Sequence, residues 1–155
     1  MIGAEENVRF LLCQIGSAIG ALALEHVGEV MRPLPIGPLD GMPPFVLGLA
    51  IVRGAPTPVI DAGRLLGVIS APSAARFVLL KLGERRAALA VDAVLDVRSM
   101  PPGTLADVPP LLRDTNSDHV SAIGALDREL LVVFEAARLV PESVWHAMNV
   151  PGTLA

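Results

Sequence analysis

Residues 9–30, RFLLCQIGSAIGALALEHVGEV, lie without a gap over residues 76–97, RFVLLKLGERRAALAVDAVLDV, at a constant offset of 67 (76 − 9). Arg9/Arg76, Phe10/Phe77, Leu12/Leu79, Gly16/Gly83, Ala21/Ala88, Leu22/Leu89, Ala23/Ala90, Val27/Val94 and Val30/Val97 are identical. Self-similarity at a fixed period marks a duplicated unit. A second pair of blocks agrees: residues 58–66, PVIDAGRLL, match residues 132–140, VVFEAARLV, at an offset of 74 (132 − 58). The second half therefore carries seven extra residues (74 − 67) between its two blocks. Each half predicts a β-hairpin, a short acidic-apolar segment, a variable loop, a second hairpin and a brief helical turn. The division is a tail at 1–8, barrel-sized subdomains at 9–70 and 71–140, and a C-terminal helix and tail at 141–155. Whether each half closes its own barrel or the second hairpins exchange between the halves is left open by the pattern.

Working outward, 155 residues fit one ordinary domain or two very small ones sharing a core. The apolar fraction is 52%, yet no apolar run approaches the ~20 residues of a membrane-spanning helix. Excess apolar surface without a span implies partner interfaces and no direct membrane insertion. A net charge of −4 argues against the basic stripe of a nucleic-acid-binding protein. Cys13 is the single cysteine, set in an apolar strand where a buried, inert thiol is expected. The segment MIGAEENVR has neither the basic flank nor the apolar core of a leader, so a cytoplasmic location is expected.

Gly16 and Ser17 separate two apolar runs, a hairpin turn that needs glycine's access to positive φ. Gly20, within the second run, reads as a bulge; the twin hairpin turns at Gly83-Glu84-Arg85 with a solvated tip. Residues 25–30 and 92–97 share the pattern acid-x-Val-x-acid-Val, which predicts a short helix turning into a strand. Five prolines and two glycines in residues 31–44 predict an ordered crossing loop. Arg53 and Gly54 form the next hairpin tip, where a guanidinium fork can meet a carboxylate or backbone of another protein. Pro56 and Pro58 require that end of the following strand to be an edge or a beginning. Asp61 and, in the second copy, Glu135 are placed to cap helical turns. Residues 67–75 read as the seam between halves. Leu111 and Leu112 follow two prolines in the inserted loop and either tuck into a core or face a partner. Residues 141–148 predict a helix with Val144, Trp145 and Met148 on one side, and the final PGTLA is expected to fray.

No constellation for chemistry emerges. His26, His119 and His146 are scattered without ligand spacing, glycines form no phosphate cradle, and the acids form no facing pair. The reading is of a non-enzyme without metal, cofactor or catalytic residues.

From Phe10 to Val140 the chain resembles the CheW-like domain family, the coupling adaptors of bacterial chemotaxis. The resemblance rests on Val27-x-Glu29-Val30, Gly48 followed by Arg53-Gly54, Pro58-Val59-Ile60-Asp61, Val91-Asp92-x-x-Leu95-Asp96-Val97, and Ile123-Gly124-Ala125 leading into Leu130-Leu131-Val132-Val133. It implies a mainly β fold of two small five-stranded SH3-like barrels with short helices and a C-terminal helix. It implies a cytoplasmic scaffold, recruited to membrane receptor arrays, that couples chemoreceptors to a CheA-type histidine kinase. The implied partners are the kinase's regulatory domain and the cytoplasmic tip of a methyl-accepting chemoreceptor. By position, Val27 and Val30 match the kinase contact, Glu29 and Arg53 match coupling on the receptor side, and Leu111 and Leu112 lie where the second barrel completes rings of alternating kinase and adaptor. Ile51 stands where the family usually has asparagine, and Ala62-Gly63 stands where it usually has Leu-Arg. An adaptor of a parallel pathway such as twitching motility, or a small-ligand sensor using the groove between barrels, are the alternatives.

Overall fold

In a computed structural model of the chain, residues 8–68, 75–100, 106–107, 120–126 and 129–153 are described. The first half contributes β1 (Val8–Ile15), β2 (Ala18–Ala23), a 3₁₀ turn (Leu24–His26), β3 (Val27–Met31), β4 (Val46–Val52), β5 (Ala55–Asp61) and α1 (Ala62–Leu66). The second contributes β6 (Arg76–Leu82), β7 (Arg85–Val91), β8 (Ala93–Met100), β9 (Ala106–Asp107), β10 (Val120–Leu126), β11 (Glu129–Phe134), a 3₁₀ turn (Ala136–Arg138) and α2 (Glu142–Thr153). The molecule is mainly β.

Sheet membership crosses the two halves. One sheet runs β3-β6-β7-β5-β4 and the other β8-β1-β2-β11-β10-β9. Replacing each strand by its sequence twin converts the first order into the second, with the two-residue β9 added at one edge. Each half thus lends its first hairpin to the other half's sheet. In both sheets the lent hairpin joins the second hairpin through a parallel pair, β7 to β5 and β2 to β11.

This exchange explains why residues 9–24 show no alternation of apolar and polar residues. A strand covered on both faces has no solvent side. On β1, Phe10 and Leu12 enter the core of one barrel, whereas Leu11, Cys13 and Ile15 enter the zone between the barrels. On β6 the twins do likewise: Phe77 and Leu79 fill the other barrel, and Val78 and Leu80 face the shared zone. Ile60 and its twin Phe134 also meet in that zone.

Two glycines have physical reasons visible only in three dimensions. Gly20 pairs with Cys13 in unbroken register, so it marks no bulge. A Cβ there would lie 2.5 Å from Ile15 Cδ1 and 2.6 Å from the Phe134 ring, so Gly20 is a close approach. Gly48 sits at φ 139 where a Cβ would collide with the Gly37 carbonyl. That approach lets Gly37 and Leu49 exchange two backbone hydrogen bonds of 2.7 and 2.8 Å, tying the proline-rich loop to β4.

Asp61 accepts hydrogen bonds from the N–H groups of Gly63 and Arg64 at 2.9 and 3.3 Å, the expected cap. Glu135 makes no such bond, contrary to expectation. Its side chain is one methylene longer, and the turn it precedes is a three-residue 3₁₀ turn without a full α-helical end. The prolines of β5 precede Val59, where pairing with β7 begins, so they occupy the strand end that β7 leaves unpaired. The helical entry predicted for both acid-Val segments exists only before β3; Asp92 leads directly into β8.

Helix α2 packs back as predicted. Val144 and Trp145 are buried in the shared zone, and Met148 lies against it. The Arg85 guanidinium stands 4.9 Å from the Trp145 ring centroid and 3.2 Å from Glu142, pinning the helix to the β6–β7 turn. The helix continues through Thr153, whereas fraying was expected from Pro151.

Cys13 is fully buried between the barrels, and burial pushes its thiol up to about 12 from an ordinary 9.0. Between those values the folded chain holds a proton that the unfolded chain releases, so this thiol's effect is to lower stability as pH rises from about 9 towards 12. A thiol reagent at neutral pH is expected to leave the native protein unlabelled and to modify one thiol after denaturation. Rapid native labelling would contradict the buried placement.

Candidate functional site

Strands β3 and β4 are the two edges of the first five-stranded sheet. Among the described residues, an ion pair bridges β3 to the β4–β5 turn. Arg53, at the β4–β5 turn, donates from Nε and one terminal nitrogen to the two carboxylate oxygens of Glu29 on β3, both at 2.7 Å. This fork-to-fork geometry fixes orientation as well as distance. The sequence singled out both residues; their mutual pairing, across 24 positions of chain (53 − 29), is the structural finding. The carboxylate that meets the Arg53 fork belongs to this chain.

Arg53 is the only described residue other than glycine at positive φ, at 50°, followed by Gly54 at 83°. With Val52 paired to Ala55, these two residues form the two-residue loop that matches strand twist, the type I′ turn. Asparagine occupies the first such position more comfortably than a long side chain. An arginine held there against backbone preference points to a role for its side chain.

The hydrogen bonds from Arg53 hold the Glu29 carboxyl below its ordinary 4.5, with the charges of Arg53 and Arg86 adding to them and partial desolvation opposing. A depressed carboxylate contributes stability that is present above about 4.5 and is lost as pH falls through the lowered value. The clamp is therefore intact across neutral pH.

Around the clamp, Val27 and Val30 differ in burial. The register of β3 against β6 shifts between Val27 and Glu29. Val27 packs against the shared core, whereas Val30 is 40% exposed. The shift at Gly28 sets Val27 opposite Leu80 and Val30 opposite Val78, residues two apart on β6, so the bulge keeps on one face two valines that a regular strand would split. Ile51, near the end of β4, is 62% exposed and lies opposite Pro56. Val30, Ile51 and the Glu29–Arg53 pair thus belong to the two edge strands of this barrel and their turn. Leu111 and Leu112 lie outside the described residues.

Sequence reasoning missed two polar staples at the β1–β2 turn. Asp92 accepts a 2.7 Å hydrogen bond from the Gly16 N–H. Gln14 Nε2 donates to the Gly16 and Ala18 carbonyls at 2.7 and 3.2 Å and to Glu129 at 3.3 Å. Both hold the lent β1–β2 hairpin to the second half. Their sequence signal was a carboxylate and an amide in otherwise apolar strands.

Two edge strands joined by an ion pair, with apolar side chains in solvent, make a surface suited to docking. Among the described residues no group of histidine, cysteine or acids could hold a metal ion. The sequence matches the CheW-like domain over residues 9–144. The chain belongs to the CheW-like domain family. A probable chemotaxis protein CheW of Rhizobium etli is 27% identical over 143 residues, covering 91% of this chain and 90% of the relative. Protein FrzA of Myxococcus xanthus is 29% identical over 124 residues, covering 77% and 76% of the two chains. The crystal structure of the scaffolding protein TtCheW from Thermoanaerobacter tengcongensis superimposes with a TM-score of 0.71 at 22% identity, over 83% of this chain and 89% of that one. That likeness carries the fold, two SH3-like barrels. CheW-like proteins are non-enzymatic scaffolds, and this chain is one of them. No helix among the described residues is long and apolar enough to cross a membrane.

Proposed function

We propose that this CheW-like scaffold couples chemoreceptors to a CheA-type histidine kinase in chemotaxis signalling. It works in the cytoplasm at membrane receptor arrays. Val27 and Val30 form the contact with the kinase's regulatory domain. Glu29 and Arg53 serve coupling to the cytoplasmic tip of a methyl-accepting receptor, and Leu111 and Leu112 serve the contact that closes rings of kinase and adaptor. The observation that carries the reading is the Glu29–Arg53 clamp, built on a backbone conformation unfavourable to arginine and set between exposed apolar residues. The relatives' names, which include a probable chemotaxis protein CheW, support the same pathway.

The mechanism is conformational coupling. A receptor that changes its packing shifts the kinase's equilibrium only by the difference in its interaction with the two states, typically about 1–3 kcal/mol. The scaffold transmits that difference through a rigid frame.

Arg53→Asn separates the structural from the coupling role. Asparagine suits the type I′ turn, so the melting temperature is expected to hold or rise. The guanidinium is gone, and receptor-stimulated kinase activity in a reconstituted assembly is expected to fall about tenfold, within the range of ordinary coupling energies. Unchanged kinase activation with the fold intact would remove Arg53 from this role.

A further inference from the structure

Strand β8 ends the second sheet, and among the described residues nothing pairs with its outer edge. Such an edge is a template for another strand. Its exposed apolar residues are Leu95 at 47% and Val97 at 39%. Between and beside them stand Asp96 and Arg98, both exposed. The Val97 N–H is taken by the Asp96 carboxylate at 2.7 Å, so at Val97 the backbone faces the outer edge. Asp96 makes no ion pair, and Arg98 has no charged partner, among the described residues.

The short sequence Asp96-Val97-Arg98 is complementary to itself in antiparallel alignment. When two copies of β8 meet about a two-fold axis at Val97, each Val97 faces the other. Asp96 of each chain then lies directly opposite Arg98 of its partner. A residue whose N–H and C=O both point outward forms the hydrogen-bonded pair on the axis, which Val97 does. The flanking 96-to-98 pairs are then of the closer, non-hydrogen-bonded kind, which brings opposite charges together. Isologous contacts of this sort are the commonest route to a homodimer.

We infer that the β8 edge is a self-association surface that accepts the β8 edge of a second copy of this chain. In the single chain Asp96 caps the Val97 N–H. On pairing, the carboxylate releases that N–H to the partner's Val97 carbonyl and takes the partner's Arg98. The edge is guarded when alone and satisfied when paired. This surface lies on the second barrel and does not depend on the kinase and receptor assignments made for the first.

The test is sedimentation of the full chain over a concentration series, as wild type, Asp96→Arg, and the double variant Asp96→Arg with Arg98→Asp. The wild type is expected to shift from monomer towards dimer as concentration rises. Asp96→Arg sets like charges opposite each other and is expected to weaken the dimer at least tenfold, while the double variant restores it. Both substituted side chains, Asp96 and Arg98, are solvent-exposed, and circular dichroism checks that each variant is folded. A wild type that stays monomeric, or a dimer indifferent to the charge reversal, overturns the inference.

Discussion

Trp145→Ala is expected to lower stability by about 3–5 kcal/mol, the range for deleting a large buried aromatic side chain. Trp145 is only 6% exposed, and its ring enters the apolar zone to which both halves contribute. The truncation leaves a cavity bordered by residues on different sheets, whose relaxation is limited because each is fixed in a strand. It also removes the aromatic face from beneath the Arg85 guanidinium, and with it part of the anchor of α2. For a chain of this length the loss corresponds to a fall in melting temperature on the order of 10 °C. Trp145→Phe keeps part of the apolar volume and is expected to fall between alanine and wild type. A thermal shift of about 2 °C or less for the alanine variant would mean that the helix is peripheral to the fold.

The second large effect is on binding. Val30→Asp is expected to weaken association with the regulatory domain of a CheA-type kinase by roughly 30-fold or more, corresponding to about 2 kcal/mol for a central interface residue. Val30 is exposed, so the free chain keeps its core; an aspartate in place of a β-branched residue on an edge strand costs no more than about 1 kcal/mol. In the complex the new carboxylate is desolvated without a partner, which is the larger penalty. The expected result is a folded variant, with a melting temperature near that of wild type, that has lost its kinase domain. Val27 gives the opposite balance, since it packs against the shared core and its replacement by aspartate damages the fold itself. If Val30→Asp unfolds the chain, the residue belongs to the core despite its exposure.

Much of the architecture was legible because the chain states it twice. Phe10 and Phe77, or Leu12 and Leu79, are identical in sequence and fill equivalent barrel interiors. Turn chemistry was equally plain, since Gly16, Gly54 and Gly83 all adopt the positive φ their turns require. The exchange of hairpins was not legible. Both lent hairpins are apolar on both faces, so either half offers them a suitable bed, and nothing local selects between the two. Gly20 shows the same limit. Alone it reads as a weak point in a strand, and only the side chains of Ile15 and Phe134, one distant in sequence, show that it is an accommodation.

At the site, Glu29 and Arg53 could be named from the sequence, but their bidentate bond depends on the sheet curling until its edges approach. Val27 and Val30 share a face of β3 for a local reason. In a regular strand residues three apart face opposite sides; the register shift between Val27 and Glu29 returns the two valines to one side, and a bulge of this kind leaves no distinctive spacing. Asp92 and Gln14 were passed over because a polar residue at a strand end is ordinarily solvated. Here each satisfies the backbone of a turn belonging to the hairpin that crosses between halves.

The central claim is that the chain is a docking frame whose first-barrel edge receives a kinase. The most direct measurement is a calorimetric titration of the purified chain with the regulatory domain of a CheA-type histidine kinase, repeated with Val30→Asp. The account predicts saturable one-to-one binding by the native chain and its loss in the folded variant. No heat of binding from the native chain, or equal binding by both proteins, would contradict it.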